Sequence, residues 1–191
     1  MNTPAHLIFG LAAFGKRDAA VVTAAAFAGA LIPDLSLYLL AGFHLVVLGT
    51  DPQVVFGELY FSDLWQTIFK IDNSAVLWGI ALAVAGWFRS GWGIALCGAA
   101  LLHIGLDFPL HHDDGRAHFW PLSNWVFESP VSYWDRNHYA SIVAPLEIAV
   151  SLILCAVLWR RFQGWLMRGL IVALALGEAA PGLIWMFVFS G

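Results

Sequence analysis

The chain has 191 residues, 60% of them hydrophobic and 12% charged, with a net charge of −4. Soluble domains carry roughly 25% charged residues, so this deficit, with a mean hydropathy of +0.76, points to lipid as the solvent. The acidic balance argues against nucleic acid as a partner, because no basic patch exists to displace counterions from phosphates.

Residues 4–14 are too few to cross a bilayer, which takes ~20 apolar residues. They read as a half-helix, with Asn2 or Thr3 as N-cap and Pro4 at the first helical position. No basic side chain precedes them, so no cleavable signal peptide is expected. Residues 19–43 form the first expected span. Residues 51–72 set Phe61, Leu64, Trp65, Ile68 and Phe69 against Glu58, Asp63, Gln66 and Lys70, a pattern that suits an amphipathic helix on the bilayer surface. Residues 74–88 are short but uniformly apolar and can span with local thinning. Residues 91–111, 141–159 and 165–189 complete the spans. Cys97 and Cys155 lie in apolar runs and imply no disulfide. The expected fold is an all-α polytopic membrane helix bundle. Residues 1–191 form a single integral-membrane domain of about five spanning helices, an N-terminal half-helix and an interfacial helix.

Basic residues orient this bundle. With Lys16 and Arg17 in the cytoplasm, Arg89, Arg160, Arg161 and Arg168 fall on the same side, while Lys70, Arg116 and Arg136 fall outside. Trp87, Trp92, Trp159 and Trp165 then line the inner interface, and Trp65, Trp120, Trp125 and Trp134 the outer one.

Charged groups in hydrocarbon cost roughly 2.5–3.5 kcal/mol each on insertion scales, so each needs a reason. Asp34, His103, Asp107, Glu147 and Glu178 all fall inside apolar segments. At a rise of 1.5 Å per residue they lie ~18–24 Å above the cytoplasmic helix ends, nearer the outer face, and His6 lies lower, at ~12–15 Å. His103, Asp107 and His111 follow at i, i+4 and i+8 and share one helix face. His112, Asp113, Asp114 and His118 come directly after, and two or three of these five loop-side residues are expected in a site. Neutral imidazoles and carboxylates suit zinc, iron or manganese. A dication would also offset the buried negative charge. Asp34, after Pro33, has a plainer alternative as the cap of a restarted helix, and His103 with Asp107 as an interhelical hydrogen-bonded pair.

The start Asn2-Thr3-Pro4-Ala5-His6-Leu7, then Ile32-Pro33-Asp34, then His103-Ile104-Gly105-Leu106-Asp107 with histidines following, resembles the inner-membrane metal-dependent hydrolase family of the YdjM type (LexA-binding, inner-membrane-associated). The resemblance runs in order and spacing over most of the chain. It implies a bacterial inner-membrane protein and a distant similarity to zinc-dependent phospholipase C and the S1/P1 nucleases. By that similarity His6, Asp34, His103, Asp107, His111 and His118 would be metal ligands, zinc foremost, with Asp107 bridging. The chain departs from those soluble enzymes in lacking an H-x-x-x-E partner for its later histidines. Residues 119–135 also have no counterpart in them. LexA binding has no visible basis in these residues.

The function expected is a membrane-embedded, metal-dependent hydrolase opening toward the periplasm. Asp34 or Asp114 would take the proton of water, and the substrate would be a phosphate ester or a lipid-like molecule. A metal or proton carrier is the first alternative, but it needs polar residues continuing to the cytoplasmic face. None occurs between Leu7 and Phe14 or between Gly91 and Leu102. A structural membrane protein, whose polar layer only locks helices together, is the second.

Overall fold

The computed structural model describes residues 1–188, with side-chain surroundings for residues 1–180. All regular structure among the described residues is helical. In chain order these are α1 (Thr3–Phe14), α2 (Ala20–Gly42), a short α3 (Pro52–Val54), α4 (Asp63–Asp72), α5 (Ala75–Trp87), α6 (Gly91–Asp107), α7 (Ala140–Arg161) and α8 (Trp165–Val188). The expected span 165–189 therefore ends on Phe189, which lies outside the described residues.

Among the described residues, three helical stretches are long and apolar enough to cross a membrane: Ala20–Val47, Asp63–Trp87 and Ala140–Arg161. The second is α4 and α5 run together. Asn73 and Ser74 separate them, and Ser74 Oγ accepts the Leu77 N–H at 3.0 Å to start α5 afresh. Ser62 and Ser90 begin α4 and α6 in the same way.

Residues 51–72 depart from the single amphipathic helix expected of them. Asp51 caps the short α3 and Ser62 caps α4, with a wide turn at Val55–Leu59 between them. Two capping side chains in one stretch favour two helix starts over one continuous helix. α4 keeps the expected sidedness only in part: Trp65 and Phe69 are buried, but Leu64 and Phe61 of the expected apolar face are exposed. Asp34 also departs from its plainer reading. Pro33 lies inside α2, so Asp34 caps no new helix. Side chains from other helices donate to carbonyls around that proline, Asn73 Nδ2 to Pro33 O at 3.0 Å and His103 Nδ1 to Ala30 O at 2.7 Å.

α1 occupies the centre, packed on α2, α6, α7 and α8. Leu7, Ile8 and Leu11 join Ala30, Ala99 and Leu158 in one apolar cluster. A helix of twelve residues can end inside a bundle only if its last carbonyls find donors. Arg161 supplies them, Nη1 reaching Ala12 O at 2.8 Å and Gly15 O at 3.1 Å, and it sets positive charge at the negative helix end.

Small residues bring α2 and α6 together. A Cβ built on Gly29 would lie 2.0 Å from the Leu96 carbonyl oxygen, backbone that no rotamer change can move aside. Gly29→Ala is expected to force α2 and α6 apart and to destabilise the fold by about 1–3 kcal/mol, the usual range for overpacking, with Gly29→Val worse. The unfolding midpoint in a fixed detergent measures this; unchanged midpoints for both variants would show that the two helices do not meet at Gly29.

Candidate metal centre

The carboxylate of Asp107, the last residue of α6, stands where the N-terminal segment and α6 converge. Its Oδ1 lies 2.9 Å from His6 Nε2, 2.5 Å from the Met1 amino group and 3.4 Å from His111 Nε2. Its Oδ2 lies 3.2 Å from His103 Nε2. Asp34 Oδ1 approaches the same His103 nitrogen at 3.6 Å. The His6 and His103 rings stack, centroids 3.5 Å apart and 8° from parallel.

His6, His103 and Asp107 are all buried, and each offers one ligand atom within 4.8 Å of the others. Ligands ~2.0–2.1 Å from a tetrahedral zinc stand roughly 3.4 Å from one another. Within this group the His103–Asp107 spacing of 3.2 Å falls near that value, and the His6–Asp107 spacing of 2.9 Å is shorter; His111 and Asp34 stand 3.4 and 3.6 Å from Asp107 and His103 at its edge.

Hydrogen bonding also fits a cation. His103 Nδ1 faces a carbonyl, which can only accept, so the ring proton is on Nδ1 and the neutral ring carries its lone pair on Nε2. That Nε2 is buried with no hydrogen-bond partner, as are both ring nitrogens of His111 and Oδ1 of Asp114. Their close approaches to carboxylates lack hydrogen-bond alignment. Buried polar atoms of this kind call for an explanation, and a shared cation supplies one. The donor set fits zinc, iron or manganese.

Around this core the loop of residues 111–138 closes a cavity of about 140 Å³, whose wall includes Asp34, Asp107, His111, Asp114, His118 and Tyr133. Ser129 Oγ ties the loop to Pro109 O at 2.6 Å, and the Ala75 N–H ties His118 O to the start of α5 at 2.8 Å. Burial pushes the His118 imidazole below its usual value, so the ring is neutral at pH 7. Its Nδ1–H donates to Asn73 O at 3.1 Å. Burial favours the protonated form of Asp114, but the His111 ring and the Trp134 indole outweigh it and hold this acid below its usual range. Burial, followed by the charge of Asp107 and Asp114, pushes Tyr133 up, so it keeps its hydroxyl proton.

The structure thus brings His6, His103 and Asp107 to one point, sets Asp34 against His103, His111 against Asp107 and Asp114 against the other nitrogen of His111, and puts His118 in the same cavity wall. It turns two neighbours away. His112 donates from Nδ1 to Ser129 O at 2.7 Å and stacks on His138, while Asp113 is exposed. The depth expected for His6 needs correction, since its ring is level with that of His103. Helical side chains tilt toward their own N-terminus. α1 and α6 run in opposite directions here, so the two rings lean toward each other and close the gap.

Several partners were not singled out in the sequence. Thr3 Oγ1 donates to Asp34 Oδ2 at 2.5 Å and accepts from Tyr38 OH at 2.7 Å. Tyr38 was within reach of a pattern search, standing at i+4 from Asp34. Glu147 Oε1 accepts the Asn2 N–H at 2.7 Å, whereas Glu178 is fully buried with both oxygens unpartnered.

These features define an all-helical protein with helices fit to cross a membrane and a buried His–His–Asp group able to hold a metal ion. Comparison with family models, with curated proteins and with solved structures gives no match for the chain.

Partners of first ligands typically matter tenfold to a hundredfold for affinity. Thr3→Val leaves Asp34 Oδ2 without its hydroxyl donor and is expected to weaken zinc binding about tenfold, measured by chelator competition. His112→Ala should leave affinity unchanged. Equal losses in the two variants would contradict this arrangement.

Proposed function

We propose that the protein is a membrane-embedded, metal-dependent hydrolase of a phosphate ester or lipid-like substrate, related to the inner-membrane YdjM-type family. The observation that carries this reading is the convergence of His6, His103 and Asp107, with His6 Nδ1 and His103 Nε2 buried and unpartnered and Asp107 in the wall of a cavity. His6, His103 and Asp107 would hold the ion, with Asp34 and His111 at its edge. Such an ion, when bound, supplies Lewis-acid charge and lowers the pKa of coordinated water.

The chain's own groups divide the remaining work. Asp34 has one oxygen engaged by Thr3 and the other directed toward His103. Asp114 accepts from the Trp134 indole on Oδ2 at 3.2 Å and sets Oδ1 2.9 Å from His111 Nδ1, in the wall of the cavity, which makes it the candidate general base paired with His111. Tyr133, protonated and in the wall, is a donor for a substrate oxygen.

The same reading places α2, α5, α6, α7 and α8 across a bacterial inner membrane, with α4 at its surface and residues 1–191 as one domain. Arg161 gathers with the Gly15 turn at one end of α1, while the carboxylates gather at the other. The positive-inside rule then puts the site toward the periplasm. Apolar Leu7, Ile8 and Leu11 fill the bundle below the site, which disfavours a through-going ion path. A purely structural polar layer is the second reading, favoured by the 2.9 Å contact of His6 with Asp107. It leaves the unpartnered atoms of His103, His111 and Asp114 without a role.

Elemental analysis of protein purified without chelators decides between them. Near-stoichiometric zinc, manganese or iron is expected, with loss of at least tenfold in His103→Ala and Asp107→Ala. Hydrolysis of phosphate mono- and diesters and of lipid esters should fall in parallel. Wild-type protein that holds no metal and cannot be refilled would end this reading.

A further inference from the structure

The cavity wall is acidic, with Asp34, Asp107 and Asp114, yet it also holds one guanidinium, that of Arg116. Arg116 belongs to the loop of residues 111–138 and is half-buried. Among the described residues no carboxylate lies within 4.0 Å of it; its guanidinium carbon instead lies 4.3 Å from the Phe69 ring centroid and 4.9 Å from that of Tyr60. Aromatic faces hold a guanidinium by its plane, and with the Tyr60 hydroxyl as a neighbouring acceptor the remaining edge N–H donors stay available to a ligand. An arginine kept this way beside a cation site has the form of an anion receptor.

Size adds a second constraint. About 140 Å³ is well below the roughly 300–1,000 Å³ of pockets that enclose whole small molecules. The cavity takes a head group and little more. Next to it runs a groove of about 370 Å³, sharing Leu37, Tyr60, Asp114 and Tyr133 with the cavity wall and continuing outward over Phe56 and Phe61. Phe56 and Phe61 are 49% and 59% exposed, so the groove is open at its far end. The polar cavity and this groove, aromatic and aliphatic apart from Asp113 and Asp114 along one side, are therefore continuous through shared side chains.

We propose that the site takes an anionic amphiphile. Its phosphoryl-type head would sit between the cation site and the edge of Arg116, and its hydrocarbon chain would lie in the groove from Leu37 to Phe61. This rests on the hydrolase reading above and deepens it: Arg116 selects the charge of the substrate and the groove selects its chain. The alkyl chain is the occupant that the aromatic and aliphatic lining fits. A free phosphate ion would use the head site alone.

The test uses full-length protein in nanodiscs, refilled with zinc, its content measured on every sample. Ethylphosphonate, hexylphosphonate, inorganic phosphate and hexanol are titrated calorimetrically; the phosphonates resist hydrolysis. Hexylphosphonate is expected to bind at least tenfold tighter than ethylphosphonate, since each buried methylene contributes roughly threefold to fourfold. Arg116→Gln should weaken both phosphonates and phosphate about 10–100-fold and leave hexanol unaffected, with Arg116→Lys intermediate. Phe56→Ala and Phe61→Ala should narrow the gap between hexyl and ethyl and spare phosphate. The unfolding midpoint of each variant confirms that it is folded. If zinc-loaded, folded Arg116→Gln binds phosphonates like the wild type, Arg116 is no receptor and the proposal falls while the metal reading stands. Equal affinity for ethyl and hexyl would mean a small phosphate ligand and would overturn the amphiphile. Protein that takes up no zinc removes both readings together.

Discussion

The carboxylate of Asp107 binds the molecule's two halves to each other. The N-terminal segment reaches it through His6 and the Met1 amino group, α6 supplies it, and the loop after α6 returns to it through His111. A carboxylate this buried is costly alone, and removing one partner from such a group strands the others. The placement of α1, the i, i+4 spacing on α6 and the path of the following loop all answer to that one requirement.

α1 can meet Asp107 because it stops short of crossing. Its first turn carries Thr3 and His6 to the polar end of the bundle, and its last turn is satisfied by Arg161 at the other. Between these ends it is apolar and fills the centre. Glycine and alanine at the helix contacts, Gly29 against Leu96 above all, set the separations at which two imidazole rings can stack. The close helix packing and the polar centre are two consequences of one arrangement.

The loop of residues 111–138 turns this centre into a cavity. Its aromatic residues read from the sequence as interface anchors, and several are exposed, including Trp125 and Trp134. The structure adds an inward-facing task for some of them. Trp134 donates to Asp114, and the Tyr133 backbone N–H bonds Leu110 O at 3.2 Å. Polar groups of the cavity wall thus come from a loop held by backbone bonds to the turn after α6 and to the start of α5.

The all-helical character, the half-helix at the start and the i, i+4 pairing of His103 with Asp107 were legible in the residues themselves, whereas α6 ends at Asp107 and leaves His111 beyond the helix. Apolar run length and the 3.6-residue period are local properties, written in neighbouring positions. The division of residues 51–72 was less legible, since it turns on whether serine and aspartate cap helices or ride within one. The residues taken alone left open which of the loop side chains face inward. His111 and His112 are adjacent, equally polar and equally able to bind a metal, and only the backbone contacts of Ser129 turn one to Asp107 and the other away. The contacts of Thr3, Tyr38 and Arg116 were decided in the same way, by groups distant along the chain that come within hydrogen-bond or ring distance once the helices pack. Sequence by itself determined which segments are helical and which carry charge into apolar surroundings. The tertiary structure alone decided which of those charges meet, because a contact across a bundle depends on the crossing of two helices and has no counterpart in the spacing along either one.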